Sequence, residues 1–168
     1  LWETDLDTIL DAIAAERPNC DLLIVNMHWG KERHYEPMKD QKRYGYAIID
    51  AGADLIVGTH PHVYGGVEQY KGKYITYSLG NFCFAGHNKP DDMTSILFQT
   101  RFRIREGENG QEITNEGFRI IPIRISSRTN RNDFTPTPYD SASSKEAVIN
   151  TLRQNGRSLT YAVTEYPL

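Results

Sequence analysis

Three of the five histidines in this 168-residue chain stand where they could act together: His28 in Asn26-Met27-His28-Trp29-Gly30, and His60 and His62 in Thr59-His60-Pro61-His62. Neutral imidazole is the commonest metal-ligating side chain, and two histidines separated by one residue can aim at a single site from a turn. Pro61 between them fixes its own φ at about −65°, which lowers the entropy cost of presenting both rings. Three imidazoles alone would suit a catalytic zinc site with its fourth position open to water. A site for two ions needs carboxylates as bridging ligands, and the sequence carries no Asp-x-His motif. His34 and His87 fall in polar loops with no strand to position them.

Both histidine sites need a platform. Residues 21–27 form a largely apolar run after the breaker Pro18-Asn19, too short for a helix, and read as a buried parallel strand that ends at His28. Residues 54–58 read the same way and end at the second site. Between them a helix is predicted to begin at Pro37, carry Tyr44, Ala47, Ile48 and Ala51, and close on Gly52. An earlier helix over 4–17 has Leu6, Ile9, Leu10, Ile13 and Ala14 at helical spacing, with Thr4 as its cap and Asp5 and Asp7 at its positive end. The order helix, strand, helix, strand predicts two parallel neighbours joined by a right-handed crossover. Both histidine sites then lie at the carboxyl edge, where open α/β sheets collect ligands.

Beyond this, residues 67–70, 73–78, 95–105 and 113–126 predict strands, with turns at Lys71-Gly72 and over 107–110: a β-rich, antiparallel continuation. Residues 130–144 read as a loop and 144–154 as a last helix, with Gly156 after it. No repeat or linker divides the chain, so 1–168 is expected to form one domain.

Hydrophobic residues make up 39% and charged residues 24%, the profile of a soluble globular protein. The net charge is −3 and the basic residues are scattered rather than striped, which argues against a nucleic-acid partner. Cys20 and Cys83 lie outside any CxxC motif and read as small buried hydrophobes. No apolar stretch approaches the roughly 20 residues that span a bilayer, and no signal peptide is expected within this stretch. The opening Leu1-Trp2-Glu3-Thr4 reads as the trimmed start of a piece of a longer protein.

Residues 26–32 (Asn-Met-His-Trp-Gly-Lys-Glu), Gln41, residues 50–63 through Gly58-Thr59-His60-Pro61-His62, and residues 77–82 (Tyr-Ser-Leu-Gly-Asn-Phe) resemble, in order and spacing, consecutive signatures of the CapA (PgsA) capsule-synthesis family. That family is related to the calcineurin-like metallophosphoesterases. The likeness covers about the first half of the chain; beyond Phe84 it is one of general character. It implies a role in making a poly-γ-glutamate capsule. It also implies an α/β fold forming the C-terminal half of a metallophosphoesterase-like α/β/β/α sandwich. Two divalent ions (Mn, Zn or Fe) are implied in the parent protein, one on His28 and His60 and the other on His62. Glu32, four residues after His28, is implied as an acid that orients a ligand or acts on substrate, although a loop acid equally suits plain solvation. Trp29 and Asn81 are candidates for substrate contact, although a large aromatic beside a strand suits a core and Gly80-Asn81 suits a plain turn.

The family's N-terminal half, with its aspartate- and asparagine-bearing motifs, has no counterpart in this sequence. The site is therefore expected to be incomplete here and phosphoesterase activity low or absent. Expected partners are an anionic polymer or phosphoester substrate, a capsule-synthesis complex, and a second copy of the chain meeting it as a homodimer through an exposed sheet edge or apolar face. The parent is expected to be membrane-anchored and extracytoplasmic, at the cell surface. The alternative, from another class, is a non-catalytic accessory module of a capsule synthesis or export complex that binds an anionic polymer in the same cleft.

Overall fold

The parallel pair forms as expected. In a computed structural model describing residues 3–107 and 110–168, with side chains from residue 6 onward, β1 (Ile24–His28) and β2 (Leu55–Thr59) run parallel, with Ile24 opposite Leu55 and His28 opposite Thr59. α2 (Lys39–Asp50) is the crossover and buries Tyr44, Ile48 and Ile49. It begins two residues later than Pro37 predicts. Met38 is the N-cap, and its N–H donates to Gln41 Oε1 at 2.9 Å, so a glutamine side chain sets the start rather than a proline ring. α1 (Glu3–Glu16) leads into a 3₁₀ turn at Arg17–Asn19. The expected Thr4 cap, and residues 108 and 109 of the expected turn, lie outside what is described.

The continuation departs from the reading above. β3 (Val67–Tyr70) and β4 (Lys73–Thr76) form a hairpin, but β4 inserts beside β2 and runs parallel to it, giving the order β1-β2-β4-β3. The reason is burial on both faces, which parallel strands require: Ile75 and Tyr77 point to one side of the sheet and Tyr74 to the other. The antiparallel texture begins with β5 (Thr94–Gly107) and β6 (Gly110–Arg124), which build a second sheet with β7 (Thr137–Pro138). β7 and the first turn of α3 (Ala142–Gly156) occupy part of the stretch read as a loop. A two-residue pairing leaves no periodicity to read, and the cap hides in a serine run: Ser141 Oγ accepts from the Ser144 N–H at 3.1 Å.

Two cores flank the first sheet. On one side Ile13, Ile48, Ile56 and Ile75 join α1 and α2 to the strands; on the other Leu55, Ile96, Ile120 and Leu152 join β5, β6 and α3 to them. Each such side chain contributes about 1.5–3 kcal/mol when fully buried. β1 was expected to be buried, yet only Met27 of its five residues is, and Ile24 is 43% exposed. Among the described residues β1 has one strand neighbour only, so it is an edge strand.

The opposite edge is closed. Along β3 the Gln69 N–H donates to the Tyr161 carbonyl and the Val163 N–H to the Val67 carbonyl. Under this seam Glu68, fully buried, accepts from Tyr46 Oη (2.7 Å), Tyr77 Oη (2.7 Å) and the Tyr161 N–H (2.8 Å). Burial, then the Glu68 carboxylate, pushes the Tyr46 phenol up to about 12, so it stays a donor.

The cysteines are not buried hydrophobes. Cys20 is half-exposed after the 3₁₀ turn, Cys83 is exposed in a loop, and both are free thiols. Among the described residues no helix is long and apolar enough to cross a membrane.

Candidate functional site

The register decides where the first two histidines meet. His28 is the last residue of β1 and lies opposite Thr59, the last of β2, so His60 follows directly beside it. The two ring centroids are 4.5 Å apart, and Thr59 Oγ1 lies 3.5 Å from His28 Nδ1. Behind them the Trp29 N–H extends the ladder to the Thr59 carbonyl. The close approach of β4 requires Gly58: a Cβ there would sit 2.2 Å from the Tyr77 carbonyl oxygen and 2.6 Å from Trp29 Nε1.

His60 and His62 both have positive φ, 97° and 60°, on either side of Pro61. Non-glycine residues held in such regions cost about 1–3 kcal/mol each and persist only when the surroundings over-determine them. Here the surroundings can be named. Asn81 Nδ2 donates to the His62 carbonyl at 3.2 Å, and Asn81 Oδ1 lies 2.8 Å from His62 Nδ1. A carbonyl can only accept, so the amide's NH₂ must face it. Oδ1 therefore faces the ring and Nδ1 carries the proton, leaving the Nε2 lone pair free. The Arg33 N–H donates to the Pro61 carbonyl from the other side, and Ser78 Oγ donates to the Val63 carbonyl.

His62 lines a cavity of about 480 Å³ together with Glu32, Tyr35, Asn81, Phe84 and His87. Glu32 is exposed on its wall and makes no hydrogen bond to any of the three histidines among the described residues. Trp29 is placed elsewhere: it is 2% exposed, its Nε1 donates to the Tyr77 carbonyl, and its ring stacks on Tyr77. Asn81, expected on the substrate side, is engaged at both ends by His62.

The loop wall was missed in the sequence. The Phe84 ring lies 5.1 Å from that of His62, and the buried Asn132 donates from its side chain to the carbonyls of Phe84 and His87. Tyr35 Oη donates to Asp92, and Arg33 pairs with Asp91, tying the loop after β1 to that wall. Burial, then the Asp92 hydrogen bond, raises the Tyr35 phenol to about 12. Nothing in residues 84–92 is periodic, and Asn132 lies over 40 residues away; its position after a turn-rich stretch carried no signal.

Comparison with known proteins bears on this geometry. The family model for the bacterial capsule synthesis protein PGA_cap matches residues 1–86. The chain belongs to the PGA_cap family. It is 34% identical over 151 residues to the capsule biosynthesis protein CapA of Bacillus anthracis, covering 89% of this chain and 33% of that protein. It is 34% identical over 146 residues to the PGA biosynthesis protein CapA of Bacillus subtilis, covering 86% and 34%. A probable polyglutamine synthesis accessory protein of Mycobacterium tuberculosis is 28% identical over 139 residues, covering 79% and 35%. The chain thus spans about a third of the length of these curated relatives. The PGA_cap match includes His28, His60, His62 and Asn81; the anchoring Asn132 lies beyond it.

Proposed function

We propose that this chain is part of a poly-γ-glutamate capsule biosynthesis protein, and that His28, His60 and His62 are its contribution to a divalent-metal site. The observation that carries the reading is the 4.5 Å approach of the His28 and His60 rings at the carboxyl edge of a parallel pair. Two imidazoles sharing one ion in cis have centroids about 4–6 Å apart, given metal–nitrogen bonds of about 2.1 Å. His62 stands 6.2 Å from His60, beyond that range, which suits it to a second ion.

Among the described residues no group of three or more His, Cys, Asp or Glu side chains is placed to hold a metal ion by itself. On this reading the three imidazoles are part of a donor set whose carboxylates come from elsewhere in the whole protein. Bound divalent ions would supply charge to activate water and to polarise a phosphoryl or acyl group. The chain's own residues do the rest: Asn81 fixes the His62 tautomer, the positive-φ turn aims His60 and His62, and Glu32, Tyr35 and His87 line the space a substrate would enter. The anchored, cell-surface location of the whole protein belongs to the same proposal.

Calorimetry with Mn²⁺ and Zn²⁺ tests it. The wild type should bind with modest affinity, weakening on acidification as protons compete for the imidazole nitrogens. His60→Ala/His62→Ala should lose most of that binding. Equal binding by both proteins would place the ions elsewhere and overturn the assignment.

A further inference from the structure

The sequence reads its basic residues as scattered, but strand pairing gathers four of them. In Arg101-Phe102-Arg103-Ile104-Arg105 the period-two alternation of β5 puts three guanidiniums on one face, about 7 Å apart along the strand. Register sets Arg119 of β6 opposite Gln99, which shares that face, so a fourth arginine extends the row. All four are exposed. Arg119 Nε donates to Gln99 Oε1 and Arg103 is paired with Glu116, whereas Arg101 and Arg105 have no hydrogen-bonded or ion-paired partner among the described residues. The Arg103 hydrogen bond, helped by the fields of Arg103, Arg101 and Arg105, holds the Glu116 carboxyl below its usual range.

We propose that this outward face of the β5–β6 hairpin is a docking surface for an extended polycarboxylate chain. Register also sets Glu112 opposite Arg105. The face thus carries four arginines against Glu112 and Glu116 and remains locally positive on a chain that is −3 as a whole, a charge that a polyanion complements. β5 is an edge strand of its sheet, and charge guards such edges. Guarding, however, can use either sign and favours lysine. Four arginines on one face instead match the planar fork that takes a carboxylate through two parallel hydrogen bonds. Single-stranded nucleic acid fits less well, because its binding surfaces interleave aromatic rings among the cations. Here Phe98 and Phe118 stack on each other and meet Tyr74 edge-on, on the opposite, inward face. The choice of a carboxylate polymer rests on the capsule reading; the surface does not.

Fluorescence anisotropy with labelled poly-γ-glutamate tests it, at low and at physiological ionic strength. The wild type should bind the polymer more tightly at low salt, and free glutamate should not displace it. Arg101→Gln/Arg105→Gln/Arg119→Gln should bind about 10-fold more weakly, as the loss of three weak, exposed ion pairs implies, while its unfolding curve and its Mn²⁺ binding stay as in the wild type. Equal polymer binding by the triple variant overturns the proposal, as does a single-stranded oligodeoxynucleotide that binds the wild type as tightly. A His28→Ala/His60→Ala variant separates the two readings. If it loses the polymer while the arginine variant keeps it, the polymer lies in the histidine cleft and the hairpin surface is refuted. If it keeps both the polymer and the metal, the metal assignment fails and the hairpin surface stands.

Discussion

Asn81→Ala probes the point where strain, hydrogen bonding and ligand orientation meet. Asn81 is 9% exposed and spends its amide on His62, accepting from the ring at 2.8 Å and donating to the main chain at 3.2 Å. Each bond is worth about 1 kcal/mol net, and more when its loss strands a partly buried partner. Together they offset the roughly 1–3 kcal/mol of backbone strain at His62. The alanine variant should therefore lose about 2 kcal/mol, read as a fall in melting temperature of about 4–8 °C for a chain this size. If His62 ligates through Nε2, its orientation is lost as well, and metal affinity should drop about 10-fold or more. Asn81→Asp sharpens the test. It keeps an acceptor for the ring N–H but sets an oxygen against the His62 carbonyl, so stability should fall while metal affinity is largely kept. An alanine variant within about 0.5 kcal/mol of wild type and with unchanged metal affinity would refute the clamp.

Gly58→Ala should cost about 3 kcal/mol or more in urea unfolding, since its Cβ would lie 2.2 Å from the Tyr77 carbonyl oxygen, main chain that cannot step aside alone. Asp54, 4% exposed, is paired with Arg17 and Lys73 and accepts from the Leu23 N–H. Burial would raise its carboxyl, but Lys73, the Leu23 N–H and Arg17 outweigh that and hold it below the usual range. A lowered folded-state pKa adds stability above the unfolded value of about 3.9 that disappears as pH falls through the folded one. Asp54→Asn should thus lose about 1–2 kcal/mol at neutral pH, reduced because both cations are partly exposed, and the gap to wild type should close in acid titrations followed by circular dichroism. The open β1 edge, with Ile24 exposed, should let two copies associate; a light-scattering mass that stays monomeric at high concentration would count against it.

The half of the fold that presents the histidines was legible because each of its signals is local. Apolar runs of strand length, a breaker before each, and Gly52 after the crossover predict β1, α2 and β2 within a few residues. The parallel insertion of β4 was not legible, since a hairpin and a hairpin that re-enters a sheet share one local pattern and differ only in what lies on the far side. The site divided along the same line. His28, His60 and His62 sit at strand tips that periodicity locates. The His62–Asn81 clamp and the Asn132 anchor depend on which loops meet, and Gly80-Asn81 looks like any turn. The arginine row shows a third case: its alternation is plain in Arg101-Phe102-Arg103-Ile104-Arg105, but its meaning needs the partner strand to bring Arg119 alongside.

The seam along β3 bears on how the protein is made. Residues 161–167 leave the ribosome after every element they clasp: β3 through Tyr161 and Val163, the buried Glu68 through the Tyr161 N–H, and β6 through the Pro167 carbonyl, which accepts from Ile120. Until they arrive, the β3 edge of the nascent sheet is bare, and Glu68 is held by its two phenols alone. The histidine turn and its parallel strands can assemble in that interval, but the sheet that carries them stays open to stray pairing with other chains. Timing, and not only sequence, therefore protects this fold, and slow delivery of residues 161–167 should show first as aggregation during translation.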